Sequence, residues 1–230
     1  MKTLGLIGGT TWISTIDYYR NINEQINRVL GGLNSAKMLL YSVNFEEFVP
    51  PVDPNEWGEL SKKFTNIAKN LEKAGADCIV FCANTPHMIA DDVQKQIDIP
   101  IIHIAEAAAN EIASLHIKKV ILLGTRITME QNFFKNKLSD KQIEALIPGE
   151  EDRQFIHDAV FNEMGKGIFS AETKKRFISI INNLIEQGAE GVILGCTEFP
   201  HLIKQEDCGV PLFDTTVIHT NAVIKFALNV

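Results

Sequence analysis

The chain has 230 residues, of which 45% are hydrophobic and 22% charged; this balance excludes intrinsic disorder and fibrous repeats and suits one globular domain or two small ones. The net charge is -7 with no basic run, which excludes the clustered Lys/Arg surface that nucleic acid requires and leaves a small molecule as the expected partner. No apolar run is long enough to cross a bilayer, and Met1-Lys2-Thr3 leads straight into a strand-like segment without an apolar leader, so neither a membrane partner nor a secretory signal is expected and the compartment is read as cytoplasmic.

Leu4-Gly5-Leu6-Ile7 reads as a short buried strand ending in the Gly8-Gly9 turn, and a helix is predicted from about Ser14 through Leu30. Met38 to Val43 is the second strand candidate. Pro50-Pro51-Val52-Asp53-Pro54 is a loop, because proline continues neither a helix nor a sheet ladder. Trp57, Leu60, Phe64, Ile67, Ala68 and Leu71 recur at helical spacing and mark one apolar face of a helix that stops at Gly75. Cys78 to Phe81, Ile99 to Ile104 and Val120 to Thr125 are continuous apolar strands with helical intervals between them. Phe177, Ile180, Ile181, Leu184 and Ile185 mark another amphipathic helix before Gly188, and a strand follows at Val192 to Leu194. Continuous apolar strands alternating with helices predict an α/β fold with parallel sheets covered on both faces.

Part of this pattern occurs twice. Leu71-Glu72-Lys73-Ala74-Gly75-Ala76-Asp77-Cys78-Ile79-Val80-Phe81-Cys82-Ala83-Asn84-Thr85 returns as Leu184-Ile185-Glu186-Gln187-Gly188-Ala189-Glu190-Gly191-Val192-Ile193-Leu194-Gly195-Cys196-Thr197-Glu198. Ile99-Pro100-Ile101-Ile102 has its counterpart in Val210-Pro211-Leu212-Phe213, and Gly8-Gly9-Thr10 in Gly124-Thr125-Arg126. The preserved order predicts two lobes of like architecture, residues 1–100 plus 212–230 and residues 101–211. Each copy ends in polar residues at the carboxyl end of a strand, where open parallel sheets bind ligands.

The glycines of Gly5-Leu6-Ile7-Gly8-Gly9 have neither GxGxxG spacing nor a following Gly-Lys-Ser/Thr, so a tight turn explains them and no nucleotide cofactor is expected. Asn84-Thr85 and Thr197-Glu198 stand where side-chain oxygens and backbone N–H groups can hold a carboxylate; ordinary N-capping is the alternative. Cys196, after a strand and before a helix, is either a thiolate favoured by the helix dipole or a buried structural cysteine. Cys78 and Cys208 read as structural. The four cysteines form no CxxC pair and no histidine lies at zinc spacing, so free thiols and no metal site are expected. His87 and His201 follow the two tips in matching contexts, as pocket residues or as histidines that hold a turn; His116 and His157 read as exposed.

Gly8-Gly9 with Trp12, Ser14-Thr15 and Tyr18-Tyr19, then Cys82-Ala83-Asn84-Thr85-Pro86-His87, then Gly195-Cys196-Thr197-Glu198, together resemble the aspartate/glutamate racemase family over almost the whole chain. Gly31-Gly32-Leu33-Asn34-Ser35-Ala36 and the segment from Leu123 to Gln131 look most like its broad-specificity bacterial amino-acid racemase branch. The resemblance implies two pseudo-symmetric α/β lobes with the substrate in the cleft between them, a homodimer, and no pyridoxal phosphate or metal. It also implies a mechanism in which one thiolate removes the Cα proton of an amino acid and an opposed thiol returns another. An α-proton is a very weak acid and a free cysteine titrates near ~8.5, so the substrate carboxylate must be stabilised as charge builds on it.

Carried over residue by residue, the resemblance makes Cys196 the second family cysteine and Asn84, Thr85 and Thr197 the carboxylate-binding positions. Thr125 and Thr128 line the second lobe's side, and Lys166 matches a basic residue near the substrate side chain. The first family cysteine position is Ala83, which has no proton to transfer. Cys82 is one residue early, and adjacent side chains on a strand face opposite ways, so it reaches the substrate only if the strand end twists or bulges. Thr10 and Val52 also depart from the family pattern in the substrate pocket. Three functions are consistent with this site: a cofactor-independent amino-acid racemase with an atypical first position, a single-cysteine lyase of the arylmalonate decarboxylase type, and a carboxylate-binding pseudoenzyme.

Overall fold

A computed structural model of the chain describes residues 1–51, 53 and 56–230. The backbone divides into two compact units, Met1–His103 with His219–Val230, and Ile104–Ile218. Among the described residues no helix is long and apolar enough to cross a membrane.

The first unit contains β1 (Leu4–Gly8), α1 (Trp12–Leu30), β2 (Met38–Ser42), α2 (Trp57–Lys73), β3 (Cys78–Phe81) and α3 (Ala90–Gln94). Its parallel sheet runs β2-β1-β3. Leu4, Leu6, Cys78 and Val80 pack with Tyr18, Ile22 and Ile26 of α1 and with Val223, Ile224 and Ala227 near the carboxyl terminus. On the other face Phe81 meets Phe64 of α2, ring centroids 5.3 Å apart, as the two-residue period of a strand requires.

The second unit contains α4 (Ile104–Ser114), β4 (Lys119–Gly124), α5 (Arg126–Glu130), α6 (Asn132–Ser139), β5 (Glu144–Leu146), α7 (Glu150–Asn162), α8 (Ala171–Ile185), β6 (Val192–Gly195), α9 (Phe199–Leu202), β7 (Leu212–Asp214) and the start of α10 (Thr215–Leu228), the helix within which the division falls. The parallel order is β5-β4-β6-β7. Ile121, Leu123, Val192 and Leu194 pack with Ile156 and Val160 of α7 and Phe177, Ile181 and Leu184 of α8. Val120, Leu122 and Ile193 instead pack with Ala105, Ala108 and Ile112 of α4 and Phe134 and Leu138 of α6. Both faces of this sheet are therefore covered, which is why its strands read as unbroken apolar runs.

The sequence repeat corresponds to a helix-stop-strand device. In the first unit Ala76 N donates to Leu71 O at 3.0 Å and Gly75 N to Glu72 O at 2.9 Å, with Gly75 at φ 95°. In the second, Ala189 N donates to Leu184 O at 3.3 Å and Gly188 N to Ile185 O at 2.8 Å, with Gly188 at φ 93°. A left-handed glycine closes the last turn of α2 and of α8 and aims the chain into β3 and β6.

One expected strand changes, and one short strand was not expected. The strand predicted from Ile99 to Ile104 is reduced to one bridge, Ile79 to Ile101, held by Ile79 N to Pro100 O at 2.9 Å and Ile102 N to Ile79 O at 3.0 Å. Pro100 has no N–H to add to the ladder, and α4 takes over at Ile104. Its repeat partner does form a strand, β7, with Leu212 opposite Val192. The three-residue β5 carries too little apolar signal to be read from sequence. Val52 and Pro54 of the predicted loop lie outside the described residues.

Candidate active site

The first unit's strand ends are fastened by the family-like residues around α1. Gly9 N donates to Thr15 Oγ1 at 2.8 Å, and Ser14 Oγ lies 2.9 Å from the carbonyl oxygens of both Thr11 and Cys82. A Cβ on Gly8 would fall 2.4 Å from Thr15 Cγ2. Gly8, Ser14 and Thr15 thus join the start of α1 to the ends of β1 and β3. Trp12 beside them is 65% exposed. Thr10 is half-buried, with an Oγ1 that has no hydrogen-bond partner among the described residues.

Beyond β3, Ala83 and Thr85 are half-buried and Asn84 is buried. Asn84 precedes the 3-10 turn Thr85–Ile89, yet its side chain makes no capping bond there. Cys82 is 0% exposed and belongs to the core formed by Leu4, Leu6, Val80 and the apolar faces of α1 and α10. Its backbone N–H continues the ladder to Ile7 O at 3.0 Å, so no bulge redirects the side chain. Of the two cysteines considered for proton transfer, Cys82 lies in the core and not at the tip. Burial pushes its thiol far above the ordinary cysteine range, and that of Cys78 up to about 12.

At the second unit's tip, Cys196 is 9% exposed. Its thiol donates to Glu198 Oε2 at 2.9 Å, and Thr197 Oγ1 donates to the same oxygen at 2.9 Å. Glu198 is itself buried. The thiolate anticipated from a helix N-terminus is not favoured here: burial first, and the Glu198 carboxylate second, hold the Cys196 thiol well above its usual range. The backbone N–H groups of Thr197 and Glu198 oppose this shift, but α9 has only four residues and thus little dipole to add. Glu198 is the residue that the sequence reading missed as a partner of the thiol. Its signal was its position two residues beyond Cys196, where the chain has left the strand.

Thr125 caps α5, its Oγ1 accepting from Thr128 N at 3.5 Å and lying 3.4 Å from Thr128 Oγ1. Thr128 is fully buried; it stands where a Cβ on Gly124 would come within 2.7 Å of it. Lys166 is exposed on the 3-10 turn Met164–Lys166. Val52 lies outside the described residues. His87 is buried whereas its repeat counterpart His201 is exposed, and His157 is half-buried, not exposed. Among the described residues no group of three His, Cys, Asp or Glu side chains gathers to hold a metal ion.

Two compact units, each a parallel sheet with covering helices and polar residues at its strand tips, define an α/β protein of the class that binds small molecules at strand ends. Within that class the chain belongs to the Asp/Glu/Hydantoin racemase family, whose model matches residues 7–223. It is 23% identical over 229 residues to the broad specificity amino-acid racemase RacX of Bacillus subtilis (strain 168), with 96% of each chain covered. A Yersinia pestis structure provisionally described as an Asp/Glu racemase is 43% identical, with a TM-score of 0.93 over 99% of this chain and 100% of that one. An aspartate racemase homologue from Pyrococcus horikoshii OT3 is 39% identical, with a TM-score of 0.86 over 99% of this chain and 100% of that one.

Proposed function

We propose that the protein is an amino-acid racemase or epimerase that moves a proton at Cα, with Cys196 as one acid/base and Glu198 as its proton partner. The observation that carries this reading is the 2.9 Å contact between the Cys196 thiol and Glu198 Oε2 in a chain of this family. When Cys196 removes the substrate proton, its own proton passes to Glu198 as the thiolate forms, and the thiolate takes the Cα proton. In the reverse direction the thiol protonates the carbanion and Glu198 restores the proton to sulfur. Asn84, Thr85 and Thr197 are assigned to the substrate carboxylate, Thr10, Ala83, Thr125 and Thr128 to the surrounding pocket, and Lys166 to the substrate side chain. Ala83 carries no proton and Cys82 is enclosed in the core, so the opposite face is assigned to a water held near Thr85. The same reading makes the protein a homodimer of the cytoplasm; sedimentation tests the first of these.

The test is α-proton exchange in deuterated water, with both enantiomers of a panel of amino acids followed by NMR and chiral chromatography. Deuterium at Cα from both enantiomers, with inversion, is the expected result. A second reading has one observation in its favour, the thiol held protonated beside Glu198: Cys196 then serves as a one-face acid, as in a single-cysteine lyase. Exchange into one enantiomer alone selects it. Ligand binding without exchange, unchanged in Cys196→Ser, selects a carboxylate-binding pseudoenzyme.

A further inference from the structure

Behind the Asn84–Thr85 tip, three imidazoles and a phenol pack together inside the first unit. His219 of α10 places Nδ1 2.7 Å from Tyr18 Oη and Nε2 2.7 Å from Ile102 O. A carbonyl only accepts, so Nε2 carries the proton, Tyr18 donates to Nδ1, and the ring is a neutral imidazole fixed in one tautomer. His87 lies against this assembly, its ring centroid 5.3 Å from that of His219, 4.6 Å from that of His103 and 5.2 Å from that of Phe81.

His87 is 1% exposed, and neither ring nitrogen meets a hydrogen-bond partner among the described residues. The ring therefore anchors its turn chiefly by packing. Through its backbone N–H, which donates to Asn84 O at 3.0 Å, it also closes the loop that carries Asn84 and Thr85. The titratable groups that bear on His87 are His103 and His219; those that bear on His219 are His103 and Tyr18. From β3 the ring meets the apolar Phe81, whose carbonyl favours the cation only weakly. Burial, then the neighbouring imidazoles, hold His87 well below the ordinary histidine range, and burial lowers His219 to about 4.

We propose that His87 is a positioning residue for the Asn84–Thr85 tip, and that its packing against His103 and His219 makes the tip release in acid. A proton added to His87 places a desolvated charge beside the imidazoles of His103 and His219, and the cheapest relief is for the turn 85–89 to open to water. That Asn84 and Thr85 hold substrate rests on the function proposed above; the acid release of the turn does not.

Hydrogen exchange of backbone amides 84–89 in the full-length, unliganded protein, corrected for intrinsic rates, tests this at about pH 7.5 and about pH 5.5, on either side of the imidazole range. Wild type should exchange there about tenfold faster at the lower pH. His87→Phe, which keeps the ring but cannot take a proton, should stay protected at both, and His87→Ala should exchange fast at both. Amides of β4 and β6, in the second unit, report intact folding. Wild-type exchange independent of pH, or acid acceleration equal in wild type and His87→Phe, overturns the proposal. Should His87→Phe fail to fold, the His87 imidazole resonance of wild type decides: titration well below the ordinary histidine range supports the proposal, and titration at the ordinary value near ~6.5 overturns it. If α-proton exchange is absent while the amide result holds, the function proposed above fails and the acid release stands; the converse pair of results removes the positioning role alone.

Discussion

Cys196 and Cys82 show how much one position along a strand decides. Cys196 meets a carboxylate at a strand tip, whereas Cys82 lies among leucines and valines. If the thiol transfers the proton, Cys196→Ser should lower α-proton exchange by at least about a thousandfold, since a hydroxyl is a far weaker acid and nucleophile. Glu198→Gln removes the nearby negative charge that helps to raise the thiol, so its pKa falls. Alkylation of Cys196 by iodoacetamide near neutral pH, followed by peptide mass spectrometry, should then quicken by several-fold to about tenfold; an unchanged rate would show that Glu198 does not govern the thiol. Cys82→Ser places a hydroxyl in an apolar core, and should cost ~1–3 kcal/mol in urea unfolding while leaving the stereochemical course of exchange as in wild type. The residue types at the candidate site, Cys196 and the polar Asn84, Thr85 and Thr197, were legible in the sequence. The contact between Cys196 and Glu198 was not, because residues two apart meet only when the chain turns out of the strand.

At the scale of elements, period and glycine position carried most of the reading. The helical spacing of Trp57, Leu60, Phe64 and Leu71 and of Phe177, Ile181 and Leu184 marks the faces that α2 and α8 bury, and Gly75 and Gly188 stop both helices. Because each of these glycines is left-handed, Gly75→Ala and Gly188→Ala should each destabilise by about 1–2 kcal/mol in chemical denaturation, with Asn at either position recovering part of the loss. Equal stability of the Ala and Gly forms would count against this helix-stop role. Elements that failed to show in sequence were short. β5 has three residues, and Ile101 forms a bridge where its counterpart Leu212 opens a strand. A ladder so brief is fixed by what its neighbours offer, and local propensity does not record that.

For the whole molecule, buried titratable groups set a window of stability. His87 and His219 are lowered in the folded state, so the unfolded chain binds more protons as pH falls below ~6.5, and the stability they contribute is present above that value and lost on descent toward the folded values. The buried thiols Cys78, Cys82 and Cys196 are raised; their contribution is present below the unfolded cysteine range and lost as pH rises through and beyond ~8.5. The melting temperature should therefore peak between about pH 7 and 8.5, the unfolding free energy falling on either side by up to about 1.4 kcal/mol per pH unit for each group titrating. A melting temperature that stays flat from the acid to the alkaline side would contradict this. The sequence by itself determined the parallel α/β pattern, the internal repeat and the family, because periodicity, glycine stops and motif residues are local properties of the chain. Only the tertiary structure decided that Cys82 faces α1 and α10, that Glu198 turns back onto Cys196, and that the buried His87 and His219 pack together with the half-buried His103. Side-chain direction at a strand end, and contact between residues far apart in sequence, are set by packing.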